Sequence, residues 1–301
     1  MNFEKIFVLG AGAIGSSYGA VLSRKNDVTL IGNKAHVDAI NSSGLTIKGD
    51  ITGKFSVKAE TNIKEVPSGS LILLTTKAQD STKAITGVRQ LLRKDTVILV
   101  LQNGLGVKEL VQGIVGEEIE VVRGLVLMAA EFIEPGNITV WDGQTIIEGT
   151  KTGEKIAMLF RESGLKTRVS EDMTKEEWSK LVVNCVINPL TAILRVRDNE
   201  IGVDSLKEVR HKIFEECVHV GKAERMSFEP NLERDIERKI PSYKNYSSMC
   251  QDIIKGKKTE IDFLNGKIVE LGKKHGVATP LNETLVGLIK FLEAKNEARR
   301  V

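Results

Sequence analysis

Apolar positions in the first half of the chain gather into short runs, Ile6–Leu9, Val28–Ile31, Leu71–Thr75 and Val97–Leu101, separated by polar and helical stretches. Runs this short, bounded by turn residues, predict strands buried on both faces. Between the first two, Ile14, Tyr18, Val21 and Leu22 recur at helical spacing, which predicts a helix with one face on the sheet. Strand, helix and strand then alternate, the pattern of a parallel sheet covered by helices. Further on, Val121–Met128, Ile138–Trp141 and Thr145–Glu148 read as strands, with Glu134-Pro135-Gly136-Asn137 and Asp142-Gly143 as turns, so an antiparallel extension is expected. A helix over Glu154–Ser163 and a short strand near Thr167–Val169 close this half.

Past Ser170 the strand pattern fades and helical periodicity takes over in Lys175–Asn188, Leu206–Arg225, Thr259–His275 and Leu281–Ala294. Pro189, Pro230, Pro241 and Pro280 are expected to punctuate these helices, because proline lacks the amide hydrogen a helix interior uses. The charged end Glu293–Arg300 reads as a fraying helix. Two domains follow, residues 1–169 and 170–301, in keeping with a length of 301 residues.

Composition narrows the partners. Lys and Arg number 43 against 40 Asp and Glu, a net charge of +3, which favours a small-molecule partner over nucleic acid or a membrane surface. The three cysteines, Cys185, Cys217 and Cys250, form no Cys-x-x-Cys pair, so no metal site or disulfide framework is expected. With no pattern of a secretory signal ahead of Ile6, a cytoplasmic location is expected.

The first strand runs directly into Gly10-Ala11-Gly12-Ala13-Ile14-Gly15, which opens the first helix. In that setting each glycine has its own mechanical task. Gly10 permits the tight turn, Gly12 lets the backbone approach a pyrophosphate, and Gly15 lets helix and strand pack closely. The phosphates would rest at the positive end of the helix, against Ala13, Ile14 and Gly15. The predicted fold class is therefore α/β, an N-terminal Rossmann-type doubly wound sheet with a C-terminal all-helical domain. Where NAD-binding chains carry an acidic residue after the second strand, this one has Gly32-Asn33-Lys34. With no carboxylate there, and Lys34 and His36 nearby, NADP should be accepted; with no arginine to clamp a 2′-phosphate, discrimination against NAD should be modest. NADPH and NADH are both expected cofactors, bound by Gly10, Gly12, Ala13, Ile14, Gly15, Asn33 and Lys34.

Ligands of such sheets lie beyond the carboxyl ends of the strands. There the sequence places Thr76-Lys77-Ala78-Gln79 and Gln102-Asn103-Gly104, so Lys77 and Asn103 fall where a nicotinamide or its substrate would lie. In the helical half, Lys180, Asn184 and Asn188 are spaced four apart among Leu181, Val182, Val183, Val186 and Ile187. On a helix they share one stripe, over about 12 Å at 1.5 Å per residue. The stripe reads either as a ligand-facing wall or as an interhelical hydrogen-bond network with Lys180 reaching solvent. A lysine so placed suits ketone reduction, since an ammonium can stabilise the developing oxyanion and deliver its proton. A second polar cluster includes Asn245, Ser248 and Glu260. Ser248 and Glu260 would not share a face of one straight helix, so a bend or tertiary contact is needed to join them; each also reads as a helix cap or a solvated acid.

These motifs, Gly-Ala-Gly-Ala-Ile-Gly, Lys77-Ala78, Gln102-Asn103-Gly104, Lys180-x3-Asn184-x3-Asn188-Pro-Leu-Thr-Ala and Ser-Ser-Met-x-Gln-Asp continuing to Thr-Glu-Ile-Asp, together resemble the ketopantoate reductases over nearly the whole chain. The resemblance implies NAD(P)H-dependent reduction of the 2-keto acid 2-dehydropantoate to (R)-pantoate, on the route to pantothenate and coenzyme A. It implies that Lys180 is the acid, that Asn103, Asn184, Asn188 and Asn245 line the site, that Ser248 lies near the substrate carboxylate, and that Glu260 meets the distal hydroxyl. A cleft between the domains is the expected site. The departure is at the 2′-phosphate position, where similar chains place an arginine. A 3-hydroxyacid or glycerol-3-phosphate dehydrogenase shares the nucleotide loop but not the paired asparagines after Lys180; a nucleotide-sensing module without chemistry would not need Lys180 and Glu260. Coenzyme A carries a phosphorylated ADP moiety and is expected to compete at the nucleotide loop as a feedback inhibitor. A homodimer through the helical half is the expected assembly.

Overall fold

The computed structural model describes residues 3–298. Its contacts form two compact units: residues up to Gln102 together with Gly106–Met173, and Asn103–Leu105 together with the chain from Thr174 onward. Each unit has its own apolar core.

In the first unit the chain runs β1 (Lys5–Leu9), α1 (Ala13–Leu22), β2 (Val28–Ile31), α2 (Lys34–Ser43), β3 (Leu45–Gly49), β4 (Gly53–Phe55), β5 (Lys58–Glu60), β6 (Ser70–Leu74) and α3 (Ser81–Val88). It continues through β7 (Val97–Val100), α4 (Val107–Val115), β8 (Glu120–Val126), β9 (Ala129–Glu134), β10 (Asn137–Trp141), β11 (Thr145–Glu148), α5 (Lys151–Glu162) and β12 (Thr167–Ser170). Eight strands form the main sheet in the order β12-β11-β8-β7-β6-β1-β2-β5. From β5 to β8 the neighbours are parallel, with Val8 opposite both Leu30 and Leu73. Every residue of β2, β6 and β7 is buried, as runs covered on both faces require. Strand order reverses between β1 and β6, and the loop after β1 opens at that switch point.

The expected antiparallel extension needs correction. Glu120–Val126 joins the main sheet parallel to β7; β11 pairs antiparallel to it, and β12 lies parallel to β11. Asn137–Trp141 instead belongs to a second sheet of four strands, β4-β3-β10-β9, in which β10 pairs parallel to β3 and antiparallel to β9. Three of the strands the pattern missed, β3, β4 and β5, are short and expose part of each run. Such runs look like loop when read by hydropathy alone.

The second unit consists of α6 (Met173–Leu194), α7 (Lys207–Ala223), α8 (Leu232–Lys239), α9 (Ser248–Ile254), α10 (Asn265–His275) and α11 (Pro280–Ala298), joined by short 3₁₀ turns. Arg299 and Arg300 of the expected fraying end lie outside the described residues. Two helical expectations are corrected. Pro189 does not end its helix but sits inside α6. Its missing amide hydrogen frees the Cys185 carbonyl one turn back, and Asn265 Nδ2 donates to that oxygen at 3.1 Å. The run Thr259–His275 is not one helix: a 3₁₀ turn over Ile261–Phe263 and a Leu264 that is neither helical nor extended (φ −110°, ψ −105°) precede α10. Helices α8 and α9, eight and seven residues long, were not among the predicted elements.

Candidate active site

In the first unit the loop between β1 and α1 is built as its glycines require. Gly10 has φ +115°, and a Cβ on it would collide with Thr76 N; one on Gly15 would collide with Gly10 O. Both positions exclude any side chain. Gly12, the N-cap of α1, has nothing within 4 Å of a built Cβ, so its surface is open to a ligand. The amides of Gly10 and Ala11 donate to Ile31 O at 3.1 and 2.8 Å and tie the loop to the end of β2. The amides of Ala13, Ile14 and Gly15 head α1 and lack intrahelical acceptors, and the helix has neither a side-chain cap nor an acidic residue in its first turn. Three amides left without acceptors inside the helix, at its positive end and beside an open glycine, fit the diphosphate of a dinucleotide.

Beyond β2, Asn33 caps α2, its Oδ1 accepting from His36 N at 3.0 Å. The exposed Lys34 is ion-paired with Asp38 at 2.8 Å. His36 lies elsewhere than expected: its side chain is fully buried, Gly136 N donates to its Nδ1 at 3.0 Å, and its Nε2 meets Ser16 Oγ at 2.9 Å. It is packed behind the loop and is not a surface group for a phosphate. Lys77 heads the 3₁₀ turn Ala78–Asp80 after β6. Gln102, read in the sequence only as part of the motif Gln102-Asn103-Gly104, ties that turn to the end of β7. Its Nε2 donates to Thr76 Oγ1 at 2.9 Å and to Ser81 Oγ at 2.7 Å. Ser81 Oγ spends its own hydrogen on Ala78 O at 2.7 Å, which fixes the direction of the amide.

In the second unit Lys180, Asn103 and Glu260 form one hydrogen-bonded chain. Lys180 Nζ donates to Asn103 Oδ1 at 2.8 Å, and Asn103 Nδ2 donates to Glu260 Oε2 at 3.1 Å. An ammonium can only donate and an ionised carboxylate only accept, so the orientation of the Asn103 amide is dictated chemically. Gly104 makes this approach possible: with φ +97°, a Cβ on it would lie 2.8 Å from Phe263 Cβ. Glu260 is 5% exposed and sits at the head of the 3₁₀ turn that interrupts the expected helix. Asn184 and Asn188 follow Lys180 along α6, and among the described residues their side chains make no hydrogen bond, nor does that of Ser248. Asn184 and Asn188 thus enter no interhelical hydrogen-bond network among the described residues. Ser248 is the first residue of α9, and the capping oxygen is that of Ser247, which accepts from Cys250 N. No hydrogen bond joins Ser248 to Glu260 among the described residues. Asn245 is held by Asp198, with Nδ2 donating to Asp198 Oδ2 at 2.8 Å. Asp198 was invisible in the sequence because its partner lies 47 residues away.

No group of three or more His, Cys, Asp or Glu among the described residues is placed to hold a metal ion, and no helix there is long and apolar enough to cross a membrane. A glycine loop at the switch point of a doubly wound sheet, followed by a helical unit that holds a lysine among carboxamides, defines a two-domain nicotinamide-dependent oxidoreductase. Residues 6–152 match the family model described as ketopantoate reductase PanE/ApbA, and residues 172–293 match its C-terminal model. The chain belongs to the ketopantoate reductase family. It is 37% identical to a 2-dehydropantoate 2-reductase of Pyrococcus horikoshii, over 96% of this chain and 98% of the relative. A second 2-dehydropantoate 2-reductase, of Aquifex aeolicus, is 32% identical over 97% and 98%. Among solved structures, a PanE/ApbA family ketopantoate reductase from Ralstonia eutropha superposes with TM-score 0.90 at 30% identity, covering 97% of this chain and 99% of that one. D-mandelate dehydrogenase in complex with NADH and anilino(oxo)acetate superposes with TM-score 0.86, also at 30% identity, covering 97% and 99%.

Proposed function

We propose that this chain reduces 2-dehydropantoate to (R)-pantoate, with NADPH as the preferred donor, the first unit binding the dinucleotide and the second the keto acid. The observation that carries the reading is the chain Lys180–Asn103–Glu260. A bound reduced nicotinamide supplies a hydride to the keto carbon. Lys180 donates a hydrogen bond to the keto oxygen and passes it a proton as charge builds there, so that carbon and oxygen each gain one hydrogen. Asn103 holds the ammonium in place through a neutral acceptor, which leaves the charge undiminished. Glu260, at the other end of the same amide, accepts from the hydroxyl at the far end of the substrate. Asn184, Asn188 and Asn245 orient the hydroxylated chain, and Ser248 donates to the carboxylate.

The preference for NADPH rests on Asn33. Its Oδ1 is committed to the α2 cap, so the group left to face outward is Nδ2, a donor that suits a phosphate oxygen. Coenzyme A, with its phosphorylated ADP moiety, competes for the same loop.

Loss of reduced-nicotinamide absorbance with NADPH or NADH and 2-dehydropantoate tests the reading. The D-mandelate dehydrogenase neighbour favours a second reading, an aromatic 2-keto acid as substrate. Turnover of benzoylformate without turnover of 2-dehydropantoate would establish it and overturn the first. Lys180→Ala should lower kcat by roughly 10²–10⁴-fold, and full turnover by that variant would remove Lys180 from its role.

A further inference from the structure

We propose that His36 is a positioning residue for the cofactor, holding the loop after β2 against the helix that grips the diphosphate. The proposal rests on the dinucleotide reading of the loop Gly10–Gly15 and of Asn33. Gly136 N–H can only donate, so the Nδ1 that receives it carries no hydrogen. In the neutral ring Nε2 then carries the hydrogen and donates to Ser16 Oγ. Both bonds are buried, and the ring also lies against Phe132, with centroids 4.8 Å apart. Three pieces of the first unit therefore meet on one imidazole.

The first piece is α1, at Ser16, whose amide makes the first helical bond back to Gly12 O. The second is the head of α2, where the His36 amide holds Asn33 Oδ1. The third is the turn between β9 and β10, at Gly136. An ADP moiety laid across the switch point touches the first piece with its diphosphate and the second with its ribose. The Nε2–Ser16 bond sets the spacing of those two contacts, whereas the Nδ1–Gly136 bond only anchors the ring. The reacting half of the cofactor is not involved.

The ring positions separate the two functions. A glutamine amide reaches about where Nε2 stands and can donate to Ser16; an asparagine reaches about where Nδ1 stands and can accept from Gly136. Calorimetric titration of NADP⁺, and of adenosine 2′,5′-bisphosphate alone, should show His36→Leu and His36→Asn binding both about ten-fold more weakly, the loss expected of one hydrogen bond. His36→Gln should stay within about three-fold of wild type, less than that bond is worth. Ser16→Ala should match His36→Leu, with no further loss when the two are combined. In turnover, KM for the cofactor should rise while kcat at saturation holds. If His36→Leu does not fold, the comparison of Gln with Asn still decides. Binding by His36→Asn as tight as by His36→Gln, or a fall in kcat with KM unchanged, would overturn the proposal. A wild-type chain that binds neither NADP⁺ nor adenosine 2′,5′-bisphosphate would overturn the cofactor reading and the proposal with it.

Discussion

Replacing Gly104 with alanine should break the Lys180–Asn103–Glu260 chain without touching any of its members. Gly104 has φ +97°, and an added Cβ would stand 2.8 Å from Phe263 Cβ and 3.0 Å from Phe263 O. Carbon atoms settle at about 3.5 Å, so the two backbones must part by about 0.7 Å from that 2.8 Å start. The Asn103–Glu260 bond, 3.1 Å long, joins the neighbour of Gly104 to the residue whose carbonyl accepts from Phe263 N at 3.0 Å. The same displacement takes it to about 3.8 Å, beyond hydrogen-bonding range. Misplacement approaching 1 Å in a catalytic array costs up to about 10²-fold in rate, so kcat should fall by roughly 10- to 100-fold. Positive φ also costs alanine about 1–2 kcal/mol of stability, and Gly106 supplies the control. Its φ is +78°, but nothing lies within 4 Å of its Cβ. Gly106→Ala should show the stability loss and keep kcat. Steady-state kinetics beside urea titrations of both variants make the comparison. If Gly104→Ala unfolds as early as Gly106→Ala yet turns over like wild type, the distance argument fails.

Three further outcomes are expected. Asn33→Asp keeps an equally good helix cap but turns a carboxylate oxygen outward; the ratio of kcat/KM for NADPH over NADH should fall by at least about ten-fold, since a charged hydrogen-bonding group is worth about 1.5–3 kcal/mol. Asn265→Leu orphans the buried Cys185 carbonyl and should cost about 1–3 kcal/mol in a denaturant titration, part of which Pro189→Ala should restore by supplying the missing amide hydrogen. Burial holds the His36 imidazole below its ordinary pKa, so between that lowered value and about 6.5 the unfolded chain binds the proton more readily. The stability this residue contributes is therefore complete above about pH 6.5 and declines as pH falls below it. The difference in unfolding free energy between wild type and His36→Asn should narrow on acidification, and a constant difference would contradict the sign.

The elements legible in the sequence share one property: their pattern is completed within a dozen or so residues. Burial on both faces makes β2, β6 and β7 runs that are apolar apart from Thr29 and Ser70, and the glycine loop is recognisable because strand, loop and helix are contiguous. The second sheet was not legible for the opposite reason. Strand β3 pairs with β10, some 90 residues on, so neither sequence alone carries the partner that makes it a strand. Pro189 illustrates the same limit in a helix. Locally it reads as a stop, and it is tolerated because Asn265, 80 residues from Cys185, takes over the freed carbonyl.

The candidate site divides along the same line. Lys180, Asn184 and Asn188 declared themselves through their spacing, because a polar stripe in an apolar helix is anomalous wherever it occurs. Glu260 offered no such anomaly. A glutamate in a polar run is ordinary until the chain breaks at Leu264 and sets it 3.1 Å from Asn103, a contact spanning 157 residues. His36 was misread for a related reason: its nearness in sequence to Lys34 suggested a phosphate-facing group, but one turn into α2 the side chain lies on the inner face. Sequence proximity placed it in the correct region of the first unit, and helical geometry turned it from a ligand group into a support for one. The residues that touch a ligand tend to be chemically conspicuous, whereas those that hold them in place are conspicuous only in three dimensions. The second group is where substitutions of apparently ordinary residues, Gly104, Ser16 and Asn265 among them, should have effects out of proportion to their chemistry.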